Sequence, residues 1–163
     1  MGRYIHLPYG LLAYRDYQGI FIHSEKIERV DSKVAIDIQI PALTPVPHLN
    51  LSVDCKLIDL KENTSYQPSY STYTKSFDYD IIRSGLSLRT REAGDFITID
   101  RKGSKQKLKS YFINEKIPFH QRDEIPLLVD GKEIVWIVGY RMNSRYQITS
   151  NTKNVVEIKI ESK

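Results

Sequence analysis

Two arginines two positions apart, Arg89 and Arg91, followed by Gly94 and Asp95, form the densest chemical signal in the sequence. On an extended strand residues i and i+2 face the same way. Both guanidinium forks would then point to one side, each able to hold a phosphate through two parallel hydrogen bonds. Lys105, Lys107, Lys109, Lys116, Arg122, Arg141 and Arg145 are the further cations from which a polyanion-binding surface could be built. A plainer role stands beside each: any of them can serve a structural ion pair, and Arg91 and Asp95 straddle a turn that they could fix by pairing. Gly94 suits a left-handed turn position. Trp136 lies in the apolar run 134–138 and fits a core better than a base-stacking platform. Tyr66, Tyr70, Tyr73 and Tyr79 could stack on unpaired bases, but tyrosine is also a strand former, and that reading is preferred.

Other chemistry lacks its residues. The eight glycines are scattered, with no GxxxxGK[ST] or GxGxxG run to cradle a nucleotide phosphate. His6, His23, His48 and His120 never fall at metal-ligand spacing, and one cysteine, Cys55, cannot build a zinc site or an internal disulfide. No carboxylate dyad is implied by Asp123-Glu124 or by Lys132-Glu133, and Ser84 has no identifiable acid–base partner. The chain is therefore expected to be non-catalytic. Its charge is uneven: residues 1–82 carry 8 basic and 10 acidic side chains, residues 83–145 carry 13 and 8. A basic segment behind an acidic one points to a polyanion partner for part of the surface. With 40% apolar and 27% charged residues the chain reads as globular. No apolar run approaches the roughly 20 residues of a membrane span. The expected location is the cytoplasm, with no membrane partner.

The elements that must position these cations are mostly strands. Residues 11–14 and 20–23 flank a polar stretch and read as a hairpin. Residues 34–40 and 51–60 alternate as half-buried strands, with a proline-bearing loop at 41–50 between them. A polar turn or edge spans 61–75, and 76–82 leads into the second half. There, strands are expected at 86–91, 96–99, 125–129, 134–138, 145–149 and 155–160, with Asp130-Gly131 turning the third into the fourth. One helix is expected over about 104–117, with Ser104 as its cap and Pro118 as its stop. It would carry Leu108, Tyr111 and Phe112 on one stripe and Lys105, Lys109 and Lys116 on another. The fold class is mainly β, or α+β: β-sandwich-like sheets with that helix packed on the second half. Two β-rich sub-domains, 1–82 and 83–163, are expected.

Residues 86–149 resemble the C-terminal domain of tRNA(Ile)-lysidine synthetases. The resemblance rests on the R-x-R-x-x-G-D run Arg89–Asp95, then Lys107-Leu108-Lys109, Phe112-Ile113, Lys116-Ile117-Pro118 and Arg122. Pro126-Leu127-Leu128, Trp136-Ile137-Val138-Gly139 and Arg141 complete it in the same order. His6–Leu11 and the following tyrosine-bearing hairpin resemble the start of the same region. One departure is Gln106, where members often have a lysine. The resemblance implies a ligase that adenylates the wobble cytidine of a minor isoleucine tRNA and joins lysine to it. It also implies that ATP and Mg²⁺ bind an N-terminal domain whose SGGxDS-type loop this sequence lacks. Met1-Gly2 ahead of a strand-like segment suggests a piece of such a polypeptide. The family's C-terminal domain implies a β-sandwich-like module that grips isoleucine tRNA near the acceptor stem and needs no cofactor itself. The competing reading is a module that docks the catalytic domain or forms a homodimer, with little RNA affinity of its own.

Overall fold

A computed structural model of the chain describes residues 5–15, 19–24 and 34–162. In chain order the strands are β1 (Ile5–Leu7), β2 (Leu11–Arg15), β3 (Ile20–Ser24), β4 (Ile36–Asp37), β5 (Ala42–Val46), β6 (Leu51–Asp59) and β7 (Thr74–Asp78). They continue as β8 (Leu86–Arg89), β9 (Phe96–Thr98), β10 (Lys105–Lys107), β11 (Leu127–Asp130), β12 (Glu133–Ile137) and β13 (Asn154–Ser162). The α-helix among the described residues is α1 (Leu108–Asn114). None of the described helices is long and apolar enough to cross a membrane.

Two four-stranded antiparallel sheets, ordered β5-β6-β13-β7 and β12-β11-β8-β4, face each other across the main core. The alternation in 51–60 holds over the first part of the strand: Val53 and Cys55 point inward and meet Val156, Ile158 and Ile160 of β13, whereas Leu57 is exposed. Opposite them lie Leu86, Leu88, Leu128, Val135 and Trp136. A register shift opposite Leu128 and Val129 bulges β12 at Val135. The bulge lets consecutive Val135 and Trp136 both join this core. Trp136 is wholly buried and tilts against Phe77 at 5.9 Å between ring centroids, an aromatic contact worth about 0.5–1.5 kcal/mol beyond its area. The other face of β11 and β12 offers Leu127, Val129, Ile134 and Ile137 to a second core. Ile97 of β9, Leu108, Tyr111 and Phe112 of α1, and Ile117 and Ile125 cover it. The central sheet is thus buried on both faces, and the molecule has three layers.

Both four-stranded sheets take strands from either side of residue 82: β4 pairs β8, and β13 runs between β6 and β7. The sheet β1-β2-β3 attaches through Tyr14 and Phe21, whose stacked rings lie 5.8 and 5.6 Å from the His120 ring, with the Tyr14 hydroxyl hydrogen-bonded to His120 Nδ1. Most of the polar stretch within that hairpin lies outside the described residues.

Four sequence expectations need correction. The loop expected at 41–50 contains β5, because Pro45 sits on an edge strand where a missing N–H costs no ladder bond. The strand expected over 34–40 shortens to Ile36–Asp37. The strand expected over 145–149 is absent: Ser144–Tyr146 form a 3₁₀ turn capped by the Asn143 side chain, which accepts the Arg145 N–H. That turn drives Tyr146 into the core, where its hydroxyl donates to Asp130. The helix starts at Leu108, not near 104, because Lys105–Lys107 pair with Phe96–Thr98 as a strand. Gly103, at φ 89°, closes the β9–β10 turn, and Ser104 gives its N–H to Asp100 there instead of capping a helix.

Candidate nucleic-acid interface

Arg89 ends β8 with its side chain turned inward, and the residue is only 5% exposed. Its two terminal nitrogens donate to the two carboxylate oxygens of Asp95 at 2.9 Å each, and one also donates to the Thr90 carbonyl. Burial pulls the guanidinium's proton affinity down. The hydrogen bond and charge of Asp95, with the charge of Glu92, outweigh it and leave the pKa raised. Asp95 also accepts the Glu92 N–H at 2.8 Å, and Gly94 sits at φ 90°, the left-handed position that the turn needs. The R-x-R-x-x-G-D run therefore builds a closed loop. Arg91 is not the partner of Asp95; its Nε donates to Asp123 at 2.7 Å. Arg122, 7% exposed, donates to the Ile117 carbonyl, and both Arg91 and Arg122 lie 5.9 Å from the Phe119 ring. The geometry ties all three arginines to structural partners. Arg89 and Arg122 are too buried to meet a phosphate.

The lysines are placed differently. Lys105 and Lys107 are exposed on β10 and Lys109 is exposed at the second residue of α1, so strand and helix together carry a short basic row. Lys105 Nζ lies 4.3 Å from the Phe96 ring centroid, a cation–π contact that steadies it. Lys107 and Lys109 make no ion pair among the described residues. Lys116 is exposed beyond the helix end and does not share a helical stripe with Lys105, since Lys105 is on a strand. Arg141 donates to the Ile99 carbonyl, and Arg145 pairs with Glu133 at 3.1 Å. Pro118 precedes the 3₁₀ turn Phe119–Asp123, and Gly139, at φ 81°, lies against the Tyr73 ring. Tyr70 and Tyr73 are exposed, and none of the four tyrosines 66, 70, 73 and 79 sits within a named strand.

A groove of about 620 Å³ lies where several turns converge. Its cations are Arg83, Arg101, Lys132 and Arg145. Only the last was expected from sequence. The missed signal was their neighbourhood: Arg83 is followed by Ser84-Gly85, Arg101 by Lys102-Gly103, and Lys132 follows Gly131. Each stands at a tight turn whose glycine has positive φ.

Residues 86–159, from the first residue of β8 into β13, match the family model described as the TilS substrate C-terminal domain. These residues belong to that family. The TilS domain thus contains the Arg89–Asp95 loop, the lysine row and all of the groove's cations except Arg83. A tRNA(Ile)-lysidine synthase of Caldanaerobacter subterraneus subsp. tengcongensis is 36% identical over 156 residues, 94% of this chain and 32% of that protein. One from Clostridium tetani is 36% identical over 166 residues, 98% and 34% of the two. The chain spans about a third of the length of the curated relatives it matches. A crystal structure of a TilS C-terminal domain superposes with a TM-score of 0.64 at 22% identity, covering 79% of this chain and 96% of that one. The fold of that TilS C-terminal domain is therefore shared over 79% of this chain.

Proposed function

We propose that this chain is the tRNA-gripping part of a tRNA(Ile)-lysidine synthase and contributes no reacting group. On this reading the rest of the polypeptide uses ATP and Mg²⁺ to adenylate the wobble cytidine, and free lysine then displaces AMP. This domain holds an isoleucine tRNA on its acceptor-stem side meanwhile. The observation that carries the reading is the basic row Lys105, Lys107 and Lys109, exposed where β10 runs into α1 while Arg89 and Arg122 are tied inward. Helical RNA presents phosphates and 2′-hydroxyls and hides most base edges, so cations fixed in place are what its recognition needs.

The test is binding of the chain to an isoleucine tRNA transcript at two salt concentrations, beside the triple variant Lys105→Ala/Lys107→Ala/Lys109→Ala. Each lost phosphate contact flattens the slope of log affinity against log salt by about one. The variant should bind more weakly, with a slope flatter by about two to three. An unchanged slope would remove the row from the interface.

One observation favours a docking role beside RNA binding. Ile5, Ala13 and Ile22 are aligned across β1, β2 and β3, and Ile5 and Ile22 are exposed next to exposed Ile20. Salt-indifferent self-association in sedimentation, abolished by Ile20→Ser/Ile22→Ser, would support a homodimer; a monomer would leave the catalytic part as the candidate occupant.

A further inference from the structure

We infer that the groove between the turns is a second anion site, which holds a sugar–phosphate step of double-helical RNA through Arg83, Arg101 and Lys132. The inference rests on the tRNA-gripping reading and names where else, and by what chemistry, the RNA is held.

Three cations from distant parts of the chain line one groove: Arg83 before β8, Arg101 in the β9–β10 turn and Lys132 in the β11–β12 turn. All three are exposed, and none of their side chains forms an ion pair among the described residues. The groove's two carboxylates are already engaged from within. Asp130 accepts the backbone N–H groups of Arg83 at 3.0 Å and Ser84 at 2.7 Å, and the Tyr146 hydroxyl at 3.1 Å. Glu133 holds Arg145 and accepts from Asn143. Like charges gathered beside one another repel, and an anion seated among them relieves that repulsion.

The cations are also held in position. Asp130 ends β11, so its bonds to the Arg83 and Ser84 N–H groups tie the Arg83 turn to the base of the Lys132 hairpin. The same two turns press together: a Cβ on Gly131 would come 3.1 Å from Ser84 Oγ. Arg83 and Lys132 therefore face the groove from two locked backbones, which lowers the ordering cost of binding.

The lining selects the ligand. A groove of about 620 Å³ has room for more than a single phosphate group. Ser84, Ser144, Gln147 and Thr149 supply hydroxyl and amide groups that can donate to or accept from a ribose 2′-hydroxyl. No exposed aromatic ring lines it: Tyr146 is buried and its hydroxyl is held by Asp130. Single-strand sites stack bases on aromatic rings, and backbone sites do not. Backbone of a duplex is the chemistry that fits.

The experiment compares the chain with Arg83→Ala/Arg101→Ala/Lys132→Ala, whose folding is checked by circular dichroism and urea midpoint. Both are titrated with isoleucine tRNA, a short RNA duplex, a DNA duplex of the same sequence and single-stranded RNA. The wild type should prefer duplex RNA, and the variant should lose about tenfold or more in affinity for it, with a salt slope flatter by about three. AMP at matched ionic strength should not displace the RNA. If the lysine-row variant weakens tRNA binding while the groove variant binds as wild type does, the groove inference fails and the tRNA-gripping reading stands. If the wild type binds no RNA, both fail. Equal affinity for DNA duplex or for single strands, or displacement by AMP, overturns the assignment of the ligand.

Discussion

Arg89 shows how one position can carry a motif and yet face away from the ligand that the motif suggests. Its guanidinium fits the Asp95 carboxylate at two 2.9 Å bonds, and both side chains are almost wholly buried. Removing one partner of such a pair leaves an uncompensated buried charge, at a cost of about 3–5 kcal/mol, whereas apolar replacement of both is often nearly neutral. Asp95→Ala should therefore lower the urea midpoint severely, and Arg89→Met/Asp95→Leu should restore much of it. A phosphate-binding Arg89 would behave otherwise: Arg89→Ala would weaken RNA binding and leave stability alone. The sequence marks Arg89 as important but is silent on direction. Two arginines at i and i+2 share a face only while the strand lasts, and β8 ends at Arg89.

Among the elements, the join between β10 and α1 is where local patterning and tertiary pairing disagree. Leu108, Tyr111 and Phe112 recur at helical spacing and are buried as that spacing predicts. Lys105–Lys107 could extend the helix by propensity, yet the antiparallel partner Phe96–Thr98 claims them. Nothing local in a Gly-Ser pair separates a hairpin turn from a helix cap. The helix end is expected near 117 with Pro118 as its stop, but α1 ends at Asn114, ahead of the proline. Ile117 donates to the Phe112 carbonyl and Lys116 to the Ile113 carbonyl, which closes the helix with Lys116 at φ 54°, a position that favours glycine. Lys116→Gly should accordingly raise stability by about 1 kcal/mol, read as a higher urea midpoint. A lower midpoint would mean that the lysine stem contributes more than its backbone conformation costs. The strands Leu51–Asp59 and Asn154–Ser162 were legible in the sequence because Val53 and Cys55, and Val156, Ile158 and Ile160, are buried at alternate positions. The β5 edge was hidden by its proline. The groove was hidden because its cations lie far apart in sequence and converge only when three turns meet.

For the whole molecule, closure of the layers around ionisable groups sets a pH limit. Burial, then the Asp54 charge, pushes Cys55 up to about 12. Burial is likewise the first cause of the rise of Tyr66 and Tyr111 to about 12, with Glu157 and Glu115 among the further causes. Each group is neutral when protonated, and the unfolded chain releases these protons at lower pH than the folded one. The contribution is therefore complete below about 9, the ordinary thiol value, and is lost as pH rises toward 12. The urea midpoint should fall across that window while phenolate absorbance lags behind that of the unfolded chain. A midpoint flat to pH 12 would contradict the burial of these groups.

The position of β13 has a consequence for how the molecule is made. It follows every other strand described here in chain order, yet it lies between β6 and β7 and pairs with both along most of its length. A ribosome delivers β6 and β7 long before their shared neighbour. Throughout that interval each keeps an open edge, and Val53, Cys55 and Phe77 lack Val156, Ile158 and Ile160 as cover. Nascent chains of this protein must wait in that state, and synthesis, not diffusion, sets how long chaperones have to shield them.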